Sequence, residues 1–405
     1  MIRIVLMIVG AFMFFSLPVR AEETSSWEKD FRIKASEKGI TKKTLDNFFK
    51  NVQENPKVIA LDRKQPEFRL GFQEYLDIIV PEYRVKKGRK MFFRHLPMLK
   101  KLEKQYGIPP QYLIAFWGME TNFGKNKGDF TLGSSLLTLA KDTRRPDFFQ
   151  KELINALKIM QRDGLDINKT PSSWAGAFGN FQFMPSTYVA YALDANKDKR
   201  INIISDIEDS FSSAANYLYS AGWRKGEKWG RPVILPSDFP WDKIDISKQM
   251  PLKTWKKLGV QNVKHKDLPD SDIMAELVLP MGYKGPAFLV YHNFNVISDW
   301  NRSVYYALAV GYFADRLLNA PRLPKIYPRE DVFSSYQTKE LQAGLCSLGF
   351  YQGKIDGILG RKSRESLKNF QRSVNLPADG YADRDILDII NKEKAKKEKS
   401  FACEN

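Results

Sequence analysis

The chain has 405 residues, of which 43% are hydrophobic and 13% aromatic, so it can form two or three domains and cannot be globally disordered. Its two cysteines, Cys346 and Cys403, exclude a disulfide framework and a four-cysteine zinc site, and its three histidines match no metal-binding spacing. A formal net charge of +17, from 64 Lys and Arg against 47 Asp and Glu, indicates an anionic partner.

Residues 1–21 have the pattern of a secretory signal peptide. Arg3 supplies the positive charge, residues 4–15 form a short apolar run, and Ala21 ends a stretch with small residues. The run is short for a bilayer span, although an uncleaved anchor stays open as an alternative. Because no cysteine follows the apolar run, we do not expect a lipoprotein. Because no later stretch is apolar enough for a membrane helix, we expect export to the periplasm as a soluble protein. Without a nucleic-acid motif, an exported basic chain is expected to bind an anionic cell-envelope polymer and no nucleic acid.

Residues 27–219 are predicted to be mostly helical, because apolar side chains recur there at helical spacing. The clearest helices are predicted over residues 41–49, 90–106, 110–119, 150–161 and 210–220. Residues 222–285 are broken by Gly, Pro and Asp, which predicts either a few strands or an irregular subdomain. A further helix is predicted over residues 305–319, and the prolines that follow it indicate a linker.

Residues 334–391 are predicted to form a compact helical unit. Its first helix is expected to end at Gly349, and Ser363 is expected to cap the second helix. Cys346 lies on the apolar face of the first helix, so we expect it to be buried, with a disulfide to Cys403 as an open alternative.

One carboxylate stands out near the end of the apolar helix that precedes Gly124. Glu120 has Trp117, Met119 and Phe123 as sequence neighbours. A carboxyl group in apolar surroundings has its charged form disfavoured, which raises its pKa and lets it act as an acid near neutral pH. The alternative is a solvated glutamate at a frayed helix end.

A second segment, residues 173–188, favours the functional interpretation. Its glycines lie among small residues, as where backbone approaches a ligand closely. Gln182 lies between Phe181 and Phe183, and a polar side chain flanked by rings is typical of a sugar site. A glycine-rich turn before a helix that begins at Pro185 is the alternative.

Together these two segments resemble the membrane-bound lytic murein transglycosylase B family (glycoside hydrolase family 103). The shared motifs are Glu-Thr followed by an aromatic residue and glycine at 120–124, and Ala-Gly-Ala-x-Gly-x-x-Gln-Phe-Met-Pro-Ser at 175–186. The resemblance covers residues 46–317, and further matching segments are Gln65–Phe68, Arg84–Gly88, Arg144–Arg145, Asn216–Leu218 and residues 291–306. It implies a mainly α (α+β) fold, with a goose-lysozyme-like helical core, an additional helical subdomain and a small β-containing subdomain.

The resemblance implies cleavage of the β-1,4 bond between N-acetylmuramic acid and N-acetylglucosamine in peptidoglycan, without water, leaving a 1,6-anhydro end. A glycosidase normally needs two carboxyl groups, and the nearest acids in sequence, Asp129 and Asp142, lie outside the Glu120 motif. In the implied mechanism Glu120 first protonates the glycosidic oxygen, while the substrate's N-acetyl carbonyl stabilises the anomeric centre. Glu120 then takes the proton of the C6 hydroxyl, so the chemistry requires no cofactor.

The resemblance also implies substrate-binding residues. Gln182 is expected to contact sugar substituents, Ser173 to hydrogen-bond Glu120 or the substrate acetamido group, and Phe183 to wall the sugar site. The remaining expected residues are Tyr75, Tyr217, Trp300 and Tyr306 in the cleft, with Arg144 and Arg145 toward peptide carboxylates. For each aromatic side chain the alternative is ordinary core packing.

Residues 194–202 place oxygen-bearing side chains at alternate positions, as a calcium loop requires. Lys199 and Ser205 stand where a standard EF-hand has glycine and glutamate. The resembled family uses a longer loop, which implies a structural calcium ion held by Asp194, Asn196, Asp198, the Arg200 carbonyl and Asp209. Glu208 is the fallback for the closing carboxylate, and a polar turn without metal is the alternative.

The C-terminal unit resembles the peptidoglycan-binding module of wall hydrolases, a three-helix unit with paired Asp-Gly turns; a helical spacer is the alternative. The predicted division is therefore a signal peptide (1–21), a catalytic domain (22–320), a linker (321–333), a peptidoglycan-binding domain (334–391) and a basic tail (392–405). Such a module raises the local substrate concentration at the cleft. We expect a monomer that binds glycan strands and also contacts other cell-wall enzymes. A hydrolytic muramidase or a non-catalytic wall-binding protein are the competing interpretations.

Overall fold

The computed structural model describes residues 26–64, 70–242, 244–246, 248–324, 327, 330 and 332–403. The predicted signal peptide at 1–21, the Gln65–Phe68 motif and the Cys403 side chain lie outside the described residues. Within the described part of the chain, no helix combines the length and the apolar character needed to span a bilayer.

Helices make up most of the described chain, and along the sequence they both precede and follow a strand-rich segment. The first ten are α1 (Ser26–Glu37), α2 (Lys42–Asn51), α3 (Pro56–Lys64), α4 (Phe72–Ile79), α5 (Glu82–Tyr106), α6 (Pro110–Thr121), α7 (Leu132–Lys141), α8 (Pro146–Asp163), α9 (Pro185–Tyr191) and α10 (Ile207–Ser220). The others are α11 (Leu252–Lys257), α12 (His292–Trp300), α13 (Val304–Leu317), α14 (Ser335–Ser347), α15 (Arg361–Ser373) and α16 (Arg384–Cys403). The strands are β1 (Phe130–Thr131), β2 (Pro171–Ser172), β3 (Gly230–Ile234), β4 (Met250–Pro251), β5 (Gln261–Asn262), β6 (Met274–Val278) and β7 (Ala287–Val290).

Local signals in the sequence set several helix ends. The Thr41 side chain accepts a hydrogen bond from the Thr44 amide and caps α2, as predicted. Helix α5 ends at Gly107, whose left-handed φ of 75° costs a glycine little, and Pro110 then opens α6 with its φ already fixed.

Helix α6 is packed by α5, α10 and α13. Its seven residues from Tyr112 to Gly118 are all buried, so this stretch of the helix has no solvent-facing side. Gly118 allows the close approach: a Cβ there would lie 2.7 Å from a Phe313 ring atom and 2.8 Å from a Phe123 ring atom. The end of α6 is therefore held rigidly against α13.

The segment between α10 and α12 forms an antiparallel five-stranded sheet in the order β4-β6-β7-β3-β5, so strands rather than an irregular subdomain occupy it. Its register pairs Val233 with Ala287 of β7 and with Asn262 of β5. The sheet has its own core, which includes the buried Trp255, whose indole N–H donates to the Ala275 carbonyl over 3.1 Å.

The C-terminal unit consists of α14, α15 and α16, as predicted, with two corrections. Gly360, not Ser363, precedes the first residue of α15; Ser363 is inside the helix and buried, where its hydroxyl accepts from Gln342 over 3.1 Å. Cys346 is an exposed free cysteine, because the buried positions of α14 include Leu341 and Leu345, and the next residue turns away from that face. Helix α16 continues without a break through the predicted tail.

The C-terminal unit lies against the sheet subdomain. The Tyr283 amide donates to Asp379 Oδ2 over 2.8 Å, and Lys284 Nζ lies 2.7 Å from Asp385 Oδ2. Glu330, in the preceding linker, contacts both sides, because its carboxylate accepts from the Gln73 amide of α4 over 3.0 Å and from the Tyr381 hydroxyl over 3.5 Å. The unit is thus attached to the preceding helices and sheet by contacts in addition to the chain connection.

Candidate active site

Glu120 is the penultimate residue of α6, where the helix ends against the aromatic core. The chain then passes through three left-handed residues, Asn122, Phe123 and Gly124, with φ of 49°, 61° and 74°. Two of these are not glycine, and such backbone strain persists only where the surroundings fix it. Glu120 is partly exposed, whereas residues Tyr112 to Gly118 of the same helix are buried.

Two side chains from distant elements donate hydrogen bonds to the Glu120 carboxyl. The Tyr306 hydroxyl, at the start of α13, donates to Oε1, and the Trp300 indole, at the end of α12, donates as well. Phe116, one turn before Glu120, packs on the Trp300 ring with a centroid distance of 4.6 Å. The carboxyl is therefore held from one side by donors and enclosed by rings.

This environment sets the protonation of the site. Burial raises the pKa of Glu120 to about 7, although the hydrogen bonds from Tyr306 and Trp300 act in the opposite direction. Burial and the nearby Glu120 charge raise the pKa of Tyr306 well above its usual range, so the phenol keeps its proton and remains a donor. Glu120 can thus carry a proton near neutral pH, and the alternative of a solvated carboxylate is wrong.

A wall of aromatic rings continues from Trp300. Tyr217 lies 4.9 Å and Phe183 5.5 Å from Trp300, centroid to centroid. Trp300 and Tyr217 are partly exposed, but Phe183 is only 3% exposed. Phe183 therefore supports the two exposed rings from behind, which corrects the prediction that its own ring walls the sugar site.

Tyr75 belongs to the same group of rings. It lies 6.0 Å from Tyr305, and both Tyr75 and Tyr217 contribute electrostatically to the raised pKa of Tyr306. The structure thus brings Tyr75, Tyr217, Trp300 and Tyr306 together around Glu120.

The loop before α9 is closed by its own hydrogen bonds. Ser173 Oγ accepts from the Ala177 amide over 3.1 Å, so its role in the described structure is to close a turn. Among the described side chains the donors to Glu120 are Tyr306 and Trp300, and the predicted bond from Ser173 to Glu120 is absent. Gln182, with a left-handed φ of 51°, donates to the Gly179 carbonyl over 3.1 Å.

Comparison with known proteins identifies the family. Residues 23–315, well over half of the chain, match the family described as "Transglycosylase SLT domain". The chain belongs to this family. Residues 334–390 match the family described as "Putative peptidoglycan binding domain".

Individual relatives of this SLT-family chain agree with that assignment. It is 30% identical over 232 residues to membrane-bound lytic murein transglycosylase B of Escherichia coli K12. The aligned region covers 56% of this chain and 62% of that protein, so the chain spans less than two thirds of this relative. SltB3 from Pseudomonas aeruginosa, in complex with NAG-anhNAM-pentapeptide, superposes with a TM-score of 0.86, 38% identity and coverage of 90% and 98% of the two chains. Escherichia coli Slt35 in complex with calcium gives a TM-score of 0.62, 25% identity and coverage of 72% and 92%. The predicted lysozyme-like, mainly helical fold is confirmed.

Asn180 was not among the predicted residues of the SLT-family site, yet it connects the two motifs. Its Oδ1 accepts from the Trp117 indole over 3.1 Å, and its carbonyl accepts from Thr121 Oγ1 over 2.8 Å. Its amide nitrogen donates to the Ile204 carbonyl and to Ser210 Oγ over 3.1 and 3.0 Å. A polar amide among the glycines and phenylalanines of the motif was the available signal.

Asn180→Ala is expected to lower the free energy of unfolding by about 2–4 kcal/mol, because it leaves several buried donors and acceptors without partners. Chemical denaturation of the full chain measures this. Asn369→Ala, at an exposed position of α15, is the matched control and should change stability by less than about 0.5 kcal/mol. Equal, small effects of both substitutions would contradict the connecting role.

Arg144 and Arg145, predicted to meet peptide carboxylates, are engaged elsewhere. Their guanidinium groups lie 2.8 and 2.7 Å from Oδ1 of the buried Asp62 on α3. The hydrogen bonds from the two arginines hold the pKa of Asp62 below its ordinary value in spite of its burial. The pair therefore neutralises a buried charge between α3 and α8. Their side chains remain 40% and 42% exposed, so the predicted contact with peptide carboxylates stays a prediction.

The predicted cation loop is organised by its own amides. Asp194 Oδ2 accepts from the Lys199 amide, and the two oxygens of Asp209 accept from the Ala195 and Asn202 amides, each over 2.8 Å. Asn196, Asp198 and Arg200 are exposed on the same loop. The hard oxygen donors fit calcium chemically. However, over the described residues no three His, Cys, Asp or Glu side chains converge as a metal cluster.

Proposed function

We propose that this SLT-family protein is a lytic transglycosylase. It cleaves the β-1,4 bond between N-acetylmuramic acid and N-acetylglucosamine in peptidoglycan and leaves a 1,6-anhydro end. The observation that carries the proposal is a single carboxyl, Glu120, with a pKa raised to about 7 and two donors, Tyr306 and Trp300. SltB3 was solved with a fragment that contains an anhydro sugar, the kind of product proposed here.

The first step uses Glu120 as a general acid. With its proton, the carboxyl protonates the glycosidic oxygen as the bond to the anomeric carbon breaks. The substrate's own N-acetyl carbonyl stabilises the positive charge at the anomeric carbon, which removes the need for a protein nucleophile. Tyr306 and Trp300 stabilise the carboxylate that Glu120 becomes, because both donate to it.

The second step uses the same carboxyl as a base. Glu120, now ionised, takes the proton of the C6 hydroxyl, whose oxygen attacks the anomeric carbon and closes the anhydro ring. This intramolecular attack competes with water, and the rings of Trp300, Tyr217 and Tyr75 support it by making the cleft apolar. Glu120 regains its proton and the site returns to its starting state.

Neither acid nearest to Glu120 in sequence suits the second role that a hydrolase requires. Asp142 is paired with Arg63 over 2.8 Å, and Asp129 is exposed. The groups that set the pKa of Glu120 are two hydrogen-bond donors and its burial, with no second described carboxylate among them. This favours the transglycosylase reaction over a hydrolytic muramidase.

The proposed substrate-binding roles follow from the exposed ring surfaces and from the polar atoms that make no hydrogen bond within the loop. Trp300, Tyr217 and Tyr75 are partly exposed and provide stacking surfaces for sugar rings. The Gln182 nitrogen is bonded to the loop, so its amide oxygen is the atom proposed to accept a substrate acetamido N–H. Ser173 retains its hydroxyl hydrogen, which is proposed to donate to the substrate.

Product analysis on purified sacculi tests the function. Digestion should release fragments that end in 1,6-anhydro-N-acetylmuramic acid, seen by mass spectrometry as products lacking the mass of one water. Fragments with a reducing N-acetylmuramic acid end would show a hydrolase instead. No release of fragments would leave a wall-binding protein and reject the enzymatic proposal.

We also propose a structural calcium ion in the loop, held by Asp194, Asn196, Asp198 and Asp209 with the Arg200 carbonyl. The support is the spacing of oxygen donors and the calcium complex of Slt35. Millimolar calcium is expected to raise the melting temperature by about 2–4 °C, and Asp194→Asn should reduce this shift. If calorimetry detects no heat on addition of calcium and the melting temperature does not change, the proposed calcium site is wrong.

The remaining proposals concern the cellular setting. Export to the periplasm rests on the pattern of residues 1–21, and fractionation of cells that produce the full chain, with processing read by mass spectrometry, tests it. Residues 334–391 are proposed as the wall-binding domain and residues 392–405 as a basic extension. We propose a monomer, which size-exclusion chromatography with light scattering checks.

A further inference from the structure

The wall-binding module contains an internal repeat that its sequence only suggests. In the first half, Gln342 Nε2 donates to Asp356 Oδ1 over 3.0 Å, and Gln342 Oε1 accepts from the Gly357 amide over 2.9 Å. In the second half, Gln371 makes the same two bonds to Asp379 and the Gly380 amide, over 2.7 and 2.8 Å. Each half therefore locks an Asp-Gly turn with a buried glutamine of the preceding helix.

The repeat extends to the residue after each glycine. Asp356 Oδ1 accepts from the Ile358 amide and Asp379 Oδ1 from the Tyr381 amide, both over 2.9 Å. In both halves Oδ1 of the aspartate takes the hydrogen bonds that close the turn, and Oδ2 takes no part in them. The two turns are thus equivalent sites for an incoming donor.

The second turn shows what this site accepts. Asp379 Oδ2 accepts a main-chain N–H, that of Tyr283, over 2.8 Å. Gly282 lies so close that a Cβ there would be 2.9 Å from the Asp379 carboxylate, and Lys284 reaches Asp385. The occupant is a turn of the main chain, residues 282–285, with a cationic side chain, Lys284, that pairs with an acid at the start of the next helix.

The first turn offers the same acceptor at the surface. Asp356 is exposed, and Gln342 and the Ile358 amide hold its pKa below the ordinary value, so it is ionised. Among the described contacts its Oδ2 has no donor. Ile358 and Ile355 beside it are 66% and 43% exposed, an apolar surface without a cover in the described chain.

The charges around the two turns differ. The sixth residue after the turn aspartate is Asp385 in the second half and Lys362 in the first. Lys354, Arg361 and Lys362 are all exposed near the first turn, whereas the second turn has Asp383, Arg384 and Asp385, so the first turn is the more cationic of the two. A ligand of the first turn therefore combines a peptide N–H with carboxylates.

We infer that the first Asp-Gly turn of the module, at Asp356, binds the peptide stem of peptidoglycan. Asp356 Oδ2 accepts a stem amide N–H, Ile358 covers an aliphatic stem side chain, and Lys362 pairs with a stem carboxylate. This inference rests on the proposed function, since it places the same polymer on the module. It differs from glycan recognition, because the repeat's visible occupant is a peptide.

Binding to sacculi tests the inference in full-length Glu120→Gln protein, which prevents digestion during the measurement. Asp356→Asn keeps the acceptor at the Oδ1 position but makes the atom at the Oδ2 position a donor, and is expected to weaken binding to intact sacculi by about tenfold. Lys362→Glu, on the exposed first turn of α15, should weaken it in the same direction. Asp238→Asn, at an exposed position of the sheet subdomain, is the matched control. Thermal unfolding confirms that each variant is folded.

The second part of the experiment measures binding to sacculi treated with an amidase, which removes the peptide stems. The inference predicts that parent and Asp356→Asn protein bind this stem-free glycan equally. Unchanged binding of both variants to intact sacculi, or equal losses on intact and stem-free material, would overturn it. Failure of the proposed enzyme function is read separately, from the absence of anhydro products with the unsubstituted protein.

Discussion

Glu120→Gln is expected to lower glycan cleavage by ~10³-fold or more while the protein stays folded. The amide has nearly the same shape but cannot supply a proton to the leaving oxygen or take one from the C6 hydroxyl. Release of fragments from labelled sacculi measures the rate. Glu37→Gln, at the exposed end of α1, is the matched control and should retain full activity.

The same substitution has a predicted signature in stability. The folded pKa of Glu120, about 7, lies above its ordinary value of 4.5, so folding favours the protonated form. The unsubstituted protein therefore loses stability as the pH rises from about 4.5 through 7, by up to about 3 kcal/mol, and the glutamine variant does not. Denaturation at pH 5 and pH 8 compares the two. Parallel pH dependence of both proteins, or substantial residual cleavage, would contradict the assignment.

Tyr306→Phe is expected to lower kcat/KM by about 10–100-fold and to move the pH profile. The Tyr306 hydrogen bond lowers the pKa of Glu120, so its removal lets burial raise that pKa above about 7. Because Glu120 must start protonated, activity falls as the pH rises through its pKa. The descending limb should therefore move to higher pH in the variant, which a kcat/KM profile from pH 5 to 9 records.

A matched tyrosine separates this effect from general packing. Tyr219 is 56% exposed and lies beside Tyr106 on another face, so Tyr219→Phe should change neither the rate nor the profile. A rate loss in Tyr306→Phe without a shift of the descending limb would mean that the phenol only supports the fold. A shift without a rate loss would mean that it tunes the carboxyl but does not stabilise the transition state.

Sequence reasoning predicted the features that depend on local interactions and missed those that depend on contacts between distant parts of the chain. Glu120 and its loop could be predicted because the motif is local and because a second local segment, residues 173–188, accompanies it in the resembled family. The role of Tyr306 and Trp300 as donors could not, since α12 and α13 lie far along the chain and only packing brings them to α6. Helix starts at Pro110 and Thr41 were predictable for the same local reasons.

Two different causes explain what sequence reasoning missed. The pairing of Arg144 and Arg145 with Asp62, and the bond from Gln342 to Ser363, involve partners that no local pattern reveals. Cys346 was wrongly predicted to be buried because one step along α14 rotates a side chain by about 100° away from the buried face.

The attachment of the module through Tyr283 and Lys284 fixes the distance between the two proposed binding sites for one polymer, Asp356 and Glu120. The stem bound at Asp356 and the sugar bond cleaved at Glu120 are then separated by a constant number of disaccharides. Fragment lengths should accordingly cluster at a preferred value, and breaking the Lys284–Asp385 pair should broaden that distribution. A tethered module, free to swing, would give no such spacing.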